Sequence, residues 1–263
     1  MQMILTENRI LKLFEKKRSR ILSVYFSAGY PNLNDTAQII RSLSDSGADL
    51  IEVGIPFSDP VADGPTIQES NKIALDNGIS VKLIFEQLAE IREHVDTPII
   101  LMGYINPVIR FGIEAFCRNC REVGIDGLIL PDLPMQEYLE NYKSSFEAHG
   151  LLNIFLITPQ TSGERIRAID RNSRGFIYMV SSASTTGAKT GISQDQVRYF
   201  ERIKEMKLDN PALIGFGISN KETFNTACRY ASGAIIGSAF IHVLKNVENL
   251  RQDIRTFVKS VKE

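Results

Sequence analysis

The chain has 263 residues, with 30 Lys and Arg against 31 Asp and Glu, and 43 % of it is hydrophobic. A net charge of −1 gives no electrostatic footprint for a nucleic acid or an anionic membrane surface, and 23 % charged residues beside that apolar fraction exclude a disordered chain. No apolar run approaches the roughly 18 residues of a membrane span, and the length suits two small domains or one α/β barrel of about 250 residues.

Residues 1–20 mix apolar and charged side chains at helical spacing, without the continuous apolar core or cleavage site of a signal peptide. Residues 7–17 read as an extra helix that caps a barrel floor, with Glu15-Lys16-Lys17-Arg18 as its solvated end. Short apolar runs then follow at 21–27, 50–55, 98–102, 127–130, 153–157, 176–180, 212–216 and 234–237, each too short for a normal helix and so read as a buried strand. Amphipathic stretches lie between them, among them 36–46, 113–123, 136–149, 163–172 and 194–206. This alternation implies parallel strands with right-handed crossovers. Eight such units favour a single-domain (β/α)8 TIM barrel with an extra N-terminal helix over an open doubly wound sheet. No linker, charge block or low-complexity tract divides residues 1–263. Three cysteines cannot all pair, which places the expected setting in a reducing cytoplasm.

Chemistry in such a barrel sits on the loops that follow the strands. Two of these loops are long: 56–65 after the second strand, and 181–193, small and polar like a lid, after the sixth. Glu52 interrupts the second strand, and period-2 alternation turns it and Gly54 inward. Burial raises a carboxyl's pKa and lets it carry a proton near neutral pH. No Lys or Arg interrupts a strand core, which argues against a purely structural ion pair. Asp59 and Asp63 share the loop beyond, and both read equally as turn formers beside Pro60 and Gly64. Asp63, farther out, is the better placed to fold back over the mouth as a second carboxylate.

Gly215, Gly217, Gly237 and Ser238 follow the last two strands, where barrels bind phosphate through backbone N–H groups and a helix N-terminus. No nucleotide-binding glycine motif accompanies them, so a small phosphorylated substrate fits better. Tyr25, Tyr104, Tyr178 and Phe216 lie at strand ends around one rim, as a flat apolar ligand requires. Cys117 and Cys120 match C-x-x-C but sit inside an amphipathic helix without a second pair. His94, His149 and His242 lie in helical segments away from the strand ends, and Lys189 on the lid lacks the burial that a Schiff-base lysine needs.

Residues 50–68, LIEVGIPFSDPVADGPTIQ, resemble the signature of the tryptophan synthase alpha chain. The segments YFSAGYP at 25–31, LPDLP at 130–134, GFGIS at 215–219 and IGSA at 236–239 extend the resemblance over essentially the whole chain. It implies a TIM-barrel lyase that cleaves indole-3-glycerol phosphate, with no metal or organic cofactor on this chain. It also implies a beta chain that joins indole to serine with pyridoxal phosphate, in an α2β2 heterotetramer. By the same resemblance the catalytic carboxylates fall on Glu52 and Asp63, and the indole-contacting aromatics on Tyr25, Tyr104 and Phe216. Tyr178 matches the hydroxyl beside the catalytic Glu, and the phosphate-binding positions match Gly187, Gly217, Gly237 and Ser238. The lid keeps Thr186 and Gly187 but has Ser184 where the family has a first Gly, and Tyr25 stands where Phe is common. Two other readings predict different chemistry: a non-catalytic activator of the beta chain, or another phosphate-binding barrel isomerase or lyase.

Overall fold

The apolar runs pair side by side as parallel strands in a computed structural model, which describes residues 8–60, 63–181, 192–215 and 217–263. They are β1 (Ile21–Ser27), β2 (Leu50–Gly54), β3 (Ile99–Met102), β4 (Gly127–Ile129), β5 (Leu152–Asn153), β6 (Leu156–Ile157), β7 (Ile177–Val180), β8 (Ala212–Gly215) and β9 (Gly233–Ile236). The helices in chain order are α1 (Arg9–Lys16), α2 (Thr36–Asp45), α3 (Pro65–Asp76), α4 (Val81–Leu88), α5 (Ile105–Phe111), α6 (Ile113–Glu122), α7 (Met135–Glu137), α8 (Lys143–Ala148), α9 (Gly163–Asn172), α10 (Gln194–Glu205), α11 (Lys221–Tyr230), α12 (Ser238–Lys245) and α13 (Leu250–Lys262).

The strand order is β5-β4-β3-β2-β1-β9-β8-β7-β6. Its two ends are halves of the run expected as one fifth strand, which breaks in the middle. The break does not open the sheet. The Ile154 N–H donates to the Leu128 carbonyl at 2.9 Å on one side, and the Tyr178 N–H donates to the Phe155 carbonyl at 2.9 Å on the other. The sheet therefore closes on itself as a TIM barrel, and closure leaves no exposed edge.

Strand periodicity divides the core in two. Ile21, Leu50, Ile100, Ile129, Leu152, Tyr178, Leu213 and Ile235 form one buried cluster inside the barrel. Their strand neighbours, such as Leu22, Ile51, Leu101, Ile177, Ile214 and Ile236, belong to a second cluster, between sheet and helices. Helix α1 plugs the floor as expected: Ile10 joins the inner cluster, and the rings of Phe14 and Phe176 lie 5.8 Å apart. Asn8 caps that helix and donates to the Asp126 carbonyl at 2.7 Å. Buried Asp126 also takes hydrogen bonds from Arg92 at 2.7 Å and Arg9 at 3.1 Å. Removing one partner of such a buried pair costs about 3–5 kcal/mol. Lys17, expected in solvent, instead pairs with Asp49 at 2.6 Å, because the chain enters β1 beside that carboxylate. Lys262 reaches the same Asp49 at 3.1 Å, so both ends of the chain converge on the floor. The opposite rim, where the strands end, is left for the site.

Candidate active site

Glu52 lies in the middle of β2 and is fully buried. Its register partners are Tyr25 on β1 and Ile100 on β3, which fixes its direction into the barrel. Ser23 on β1 donates a 2.7 Å hydrogen bond to Glu52 Oε1, while Oε2 is buried with no hydrogen-bond partner. Burial pushes the carboxyl pKa up to about 7, against the smaller opposing pull of the Ser23 hydrogen bond. A group with that pKa both gives and takes a proton at neutral pH.

Asp63 approaches from the loop after β2. The loop folds back because the first turn of α3 holds it: Gln68 donates to the Asp63 carbonyl at 2.8 Å, and the Asp63 N–H donates to Pro60 O at 3.0 Å. Its carboxyl is half-buried and hydrogen-bonded to Tyr104. Burial raises its pKa to about 6, opposed by that hydrogen bond, so the ionised form prevails at pH 7. Phe57, from the same loop, packs its ring 5.2 Å from that of Tyr104. Tyr104 in turn is the N-cap of α5, whose first N–H, on Ile105, donates to Asp132 at 3.0 Å. Asp59, in contrast, is exposed and accepts from its neighbour Ser58 at 2.6 Å, so the fold separates two carboxylates that look alike in sequence.

The Tyr25 and Tyr178 hydroxyls each feel both Glu52 and Asp63 electrostatically, which places all four groups near one another. Burial keeps both phenols protonated, with the carboxylates adding to the effect. Two glycines make room for the rings. A Cβ on Gly54 would meet Tyr25 Cζ at 2.8 Å, and a Cβ on Gly215 would collide with the Tyr178 hydroxyl. The Tyr25 hydroxyl finds a partner in Ser27, which is itself bound to Ser70 and Asn71 of α3 at 2.8 Å each.

The glycine cluster sits at the same rim. Gly217 has φ +75° and lies 3.8 Å from both Gln196 and Ser181, measured from the position a Cβ would occupy. Gln196 donates to Ser181 at 3.3 Å and so joins the two flanks of residues 182–191. Gly237 precedes α12, which begins at Ser238, so the first N–H groups of that helix point out of its end. Of the positions expected from sequence, Glu52, Asp63, Tyr25, Tyr104, Tyr178, Gly217, Gly237 and Ser238 therefore gather at one end of the barrel. Thr186, Gly187 and Phe216 lie outside the described residues, as does Ser184. Cys117 and Cys120 are buried with their thiols pushed up, Cys117 to about 12, so neither is a ready thiolate. Among the described residues no group of three His, Cys, Asp or Glu side chains is arranged to hold a metal, and no helix is long and apolar enough to cross a membrane.

Two residues of the site, Ser23 and Gln196, are not among those expected from sequence. Ser23 carries a signal, as a polar side chain at an inward position of an apolar strand. Gln196 carries none, because its role comes only from the segment it meets across the rim.

The family model described as tryptophan synthase alpha chain matches residues 11–263. The chain belongs to that family. A tryptophan synthase alpha chain of Flavobacterium psychrophilum is 62 % identical over 255 residues, 97 % of this chain and 99 % of its own length. One from Parabacteroides distasonis is 54 % identical over 256 residues, 97 % of this chain and all of its own. Among solved structures, a Mycobacterium tuberculosis tryptophan synthase superposes with a TM-score of 0.86 at 33 % identity, covering 97 % of each chain. The Legionella pneumophila alpha chain gives 0.86 and 33 %, covering 97 % of this chain and 96 % of that one. Family membership accounts for the barrel.

Proposed function

We propose that this chain cleaves indole-3-glycerol phosphate to indole and glyceraldehyde 3-phosphate by a retro-aldol reaction, and passes the indole to a tryptophan synthase beta chain. The observation that supports it most is Glu52, buried beneath the rim with one free oxygen and a pKa of about 7. An aromatic indole is a poor leaving carbanion, so C3 must first become tetrahedral. Glu52 gives its proton to C3, forming an indolenine whose ring nitrogen carries positive charge. The C3–C3′ bond then breaks, and its electron pair flows into the ring to restore indole. The C3′ hydroxyl becomes the aldehyde and returns its proton to Glu52, which ends as it began.

Asp63, ionised at pH 7, accepts a hydrogen bond from the ring N–H and stabilises the charge that develops there. Tyr25, Tyr104, Tyr178 and Phe216 hold the flat ring. Thr186, Gly187, Gly217, Gly237 and Ser238 hold the phosphate, fixing the glycerol end so that the reacting bond lies between the two carboxylates. The pyridoxal phosphate chemistry that joins indole to serine belongs to the beta chain, in an α2β2 assembly. Ile109 on α5, the helix that follows Tyr104, is 49 % exposed and suits an apolar contact with that partner. The free cysteines suit a reducing cytoplasm.

The test is product analysis. The purified chain, given indole-3-glycerol phosphate, should release indole and glyceraldehyde 3-phosphate in equal amounts, the aldehyde read through a coupled dehydrogenase. A folded chain that releases neither product, alone or with a beta chain, overturns the proposal.

A further inference from the structure

We infer that Ser23 is a positioning residue for Glu52: its hydroxyl pins Oε1 and leaves the buried, unpartnered Oε2 as the oxygen that carries the proton. The inference rests on the proton-shuttle reading of Glu52 and adds to it which oxygen acts and what holds it. A carboxylate offers about four lone-pair sites on two equivalent oxygens, and its terminal torsion is soft. The 2.7 Å bond from Ser23 removes that equivalence.

Ser23 stands two residues before Tyr25 on β1, and Tyr25 is the residue opposite Glu52. It is therefore one layer deeper in the barrel, level with Leu50, and fully buried. From there it reaches substrate through Glu52 alone. Ser23 is also the group that opposes burial at Glu52. The groups that face Glu52 are Tyr25 from β1 and Tyr178 from β7, β3 presents Ile100, and Asp63 from the strand-2 loop acts on the same two tyrosines. Both tyrosines remain neutral across the working range, and Asp63 titrates around a midpoint near 6, below that of Glu52. With Ser23 removed, burial acts unopposed and Glu52 becomes a weaker acid with a freer carboxyl.

The test compares wild type, Ser23→Ala and Ser23→Thr by carboxyl 13C NMR titration of the full chain, with Glu52→Gln to assign the signal, and by the pH dependence of indole formation. Ser23→Ala should move the Glu52 titration and the basic limb of the rate profile up by about one pH unit. It should lower kcat by about tenfold with KM unchanged, since Ser23 touches no substrate. Ser23→Thr, which keeps a hydroxyl, should restore both. The NMR titration needs no turnover, so it reports on the Ser23–Glu52 link even if the chain proves to catalyse a different reaction. A folded Ser23→Ala chain whose Glu52 titrates as in wild type overturns the inference. So does a variant that loses activity through KM with the basic limb unmoved.

Discussion

Replacing Glu52 by Gln should trade activity for stability, and the trade should depend on pH in a way that identifies the group. Burial raises the Glu52 pKa from 4.5 to about 7, so across that interval the folded chain holds a proton that the unfolded chain has released. Stability is therefore lost as pH rises from 4.5 to 7, and the loss is complete above 7. The two values convert to about 3 kcal/mol. Gln is neutral throughout, keeps an oxygen for the Ser23 hydroxyl, and escapes this loss. All other titrating groups are common to both proteins and cancel in the difference. Between pH 5 and 8.5 the variant should gain about 2.5 kcal/mol on wild type. For a chain of this size that is about 5 °C in melting temperature. Thermal melts of both proteins at half-unit steps of pH provide the measurement. A difference in melting temperature that stays constant from pH 5 to 8.5 would mean that Glu52 titrates no differently folded than unfolded, and that its burial does not raise its pKa.

The pH profile of kcat/KM should be bell-shaped, rising through about 6 as Asp63 ionises and falling through about 7 as Glu52 loses its proton. The substrate phosphate also titrates near 6, so the basic limb is diagnostic, and a rate still flat at pH 8.5 contradicts the assignment. Crystals soaked in sulfate should show the anion on the backbone N–H groups of Gly217, Gly237 and Ser238; density confined to Lys or Arg side chains elsewhere would move the phosphate site. A beta chain should stimulate wild type by roughly 5–150-fold, while Asp63→Asn stays nearly inactive in both states. Ile109→Glu should weaken that stimulation and leave the basal rate intact; unchanged stimulation places the partner on another face.

Glu52 is legible in the sequence because a single acid in an apolar strand is conspicuous, and strand alternation gives its direction. The barrel is legible for a similar reason: local periodicity repeats along the whole chain. What escapes depends on contacts between distant segments. Asp59 and Asp63 both sit among Pro and Gly, and position along the loop favours Asp63, but the grip of Gln68 and the Tyr104 hydroxyl that holds it there is not written locally. Ser23 matters because β1 pairs with β2 in the register that sets Tyr25 against Glu52, which no local pattern encodes. The break between β5 and β6 falls at Ile154 and Phe155, with no Gly or Pro to announce it, because that segment bonds to β4 first and to β7 afterwards. Lys17 reads locally as one more charge at a helix end, and its partner Asp49 lies 32 residues away, brought to it only on the barrel floor.

In the proposed reaction Glu52 carries the proton that makes indole a leaving group. The most direct test of that role is indole release from indole-3-glycerol phosphate by wild type and Glu52→Gln, at pH 6.5 and with equal amounts of folded chain. The expected outcome is a fall in kcat of roughly 10²–10⁴-fold while substrate still binds. A folded Glu52→Gln chain that turns over at a rate near that of wild type would contradict it.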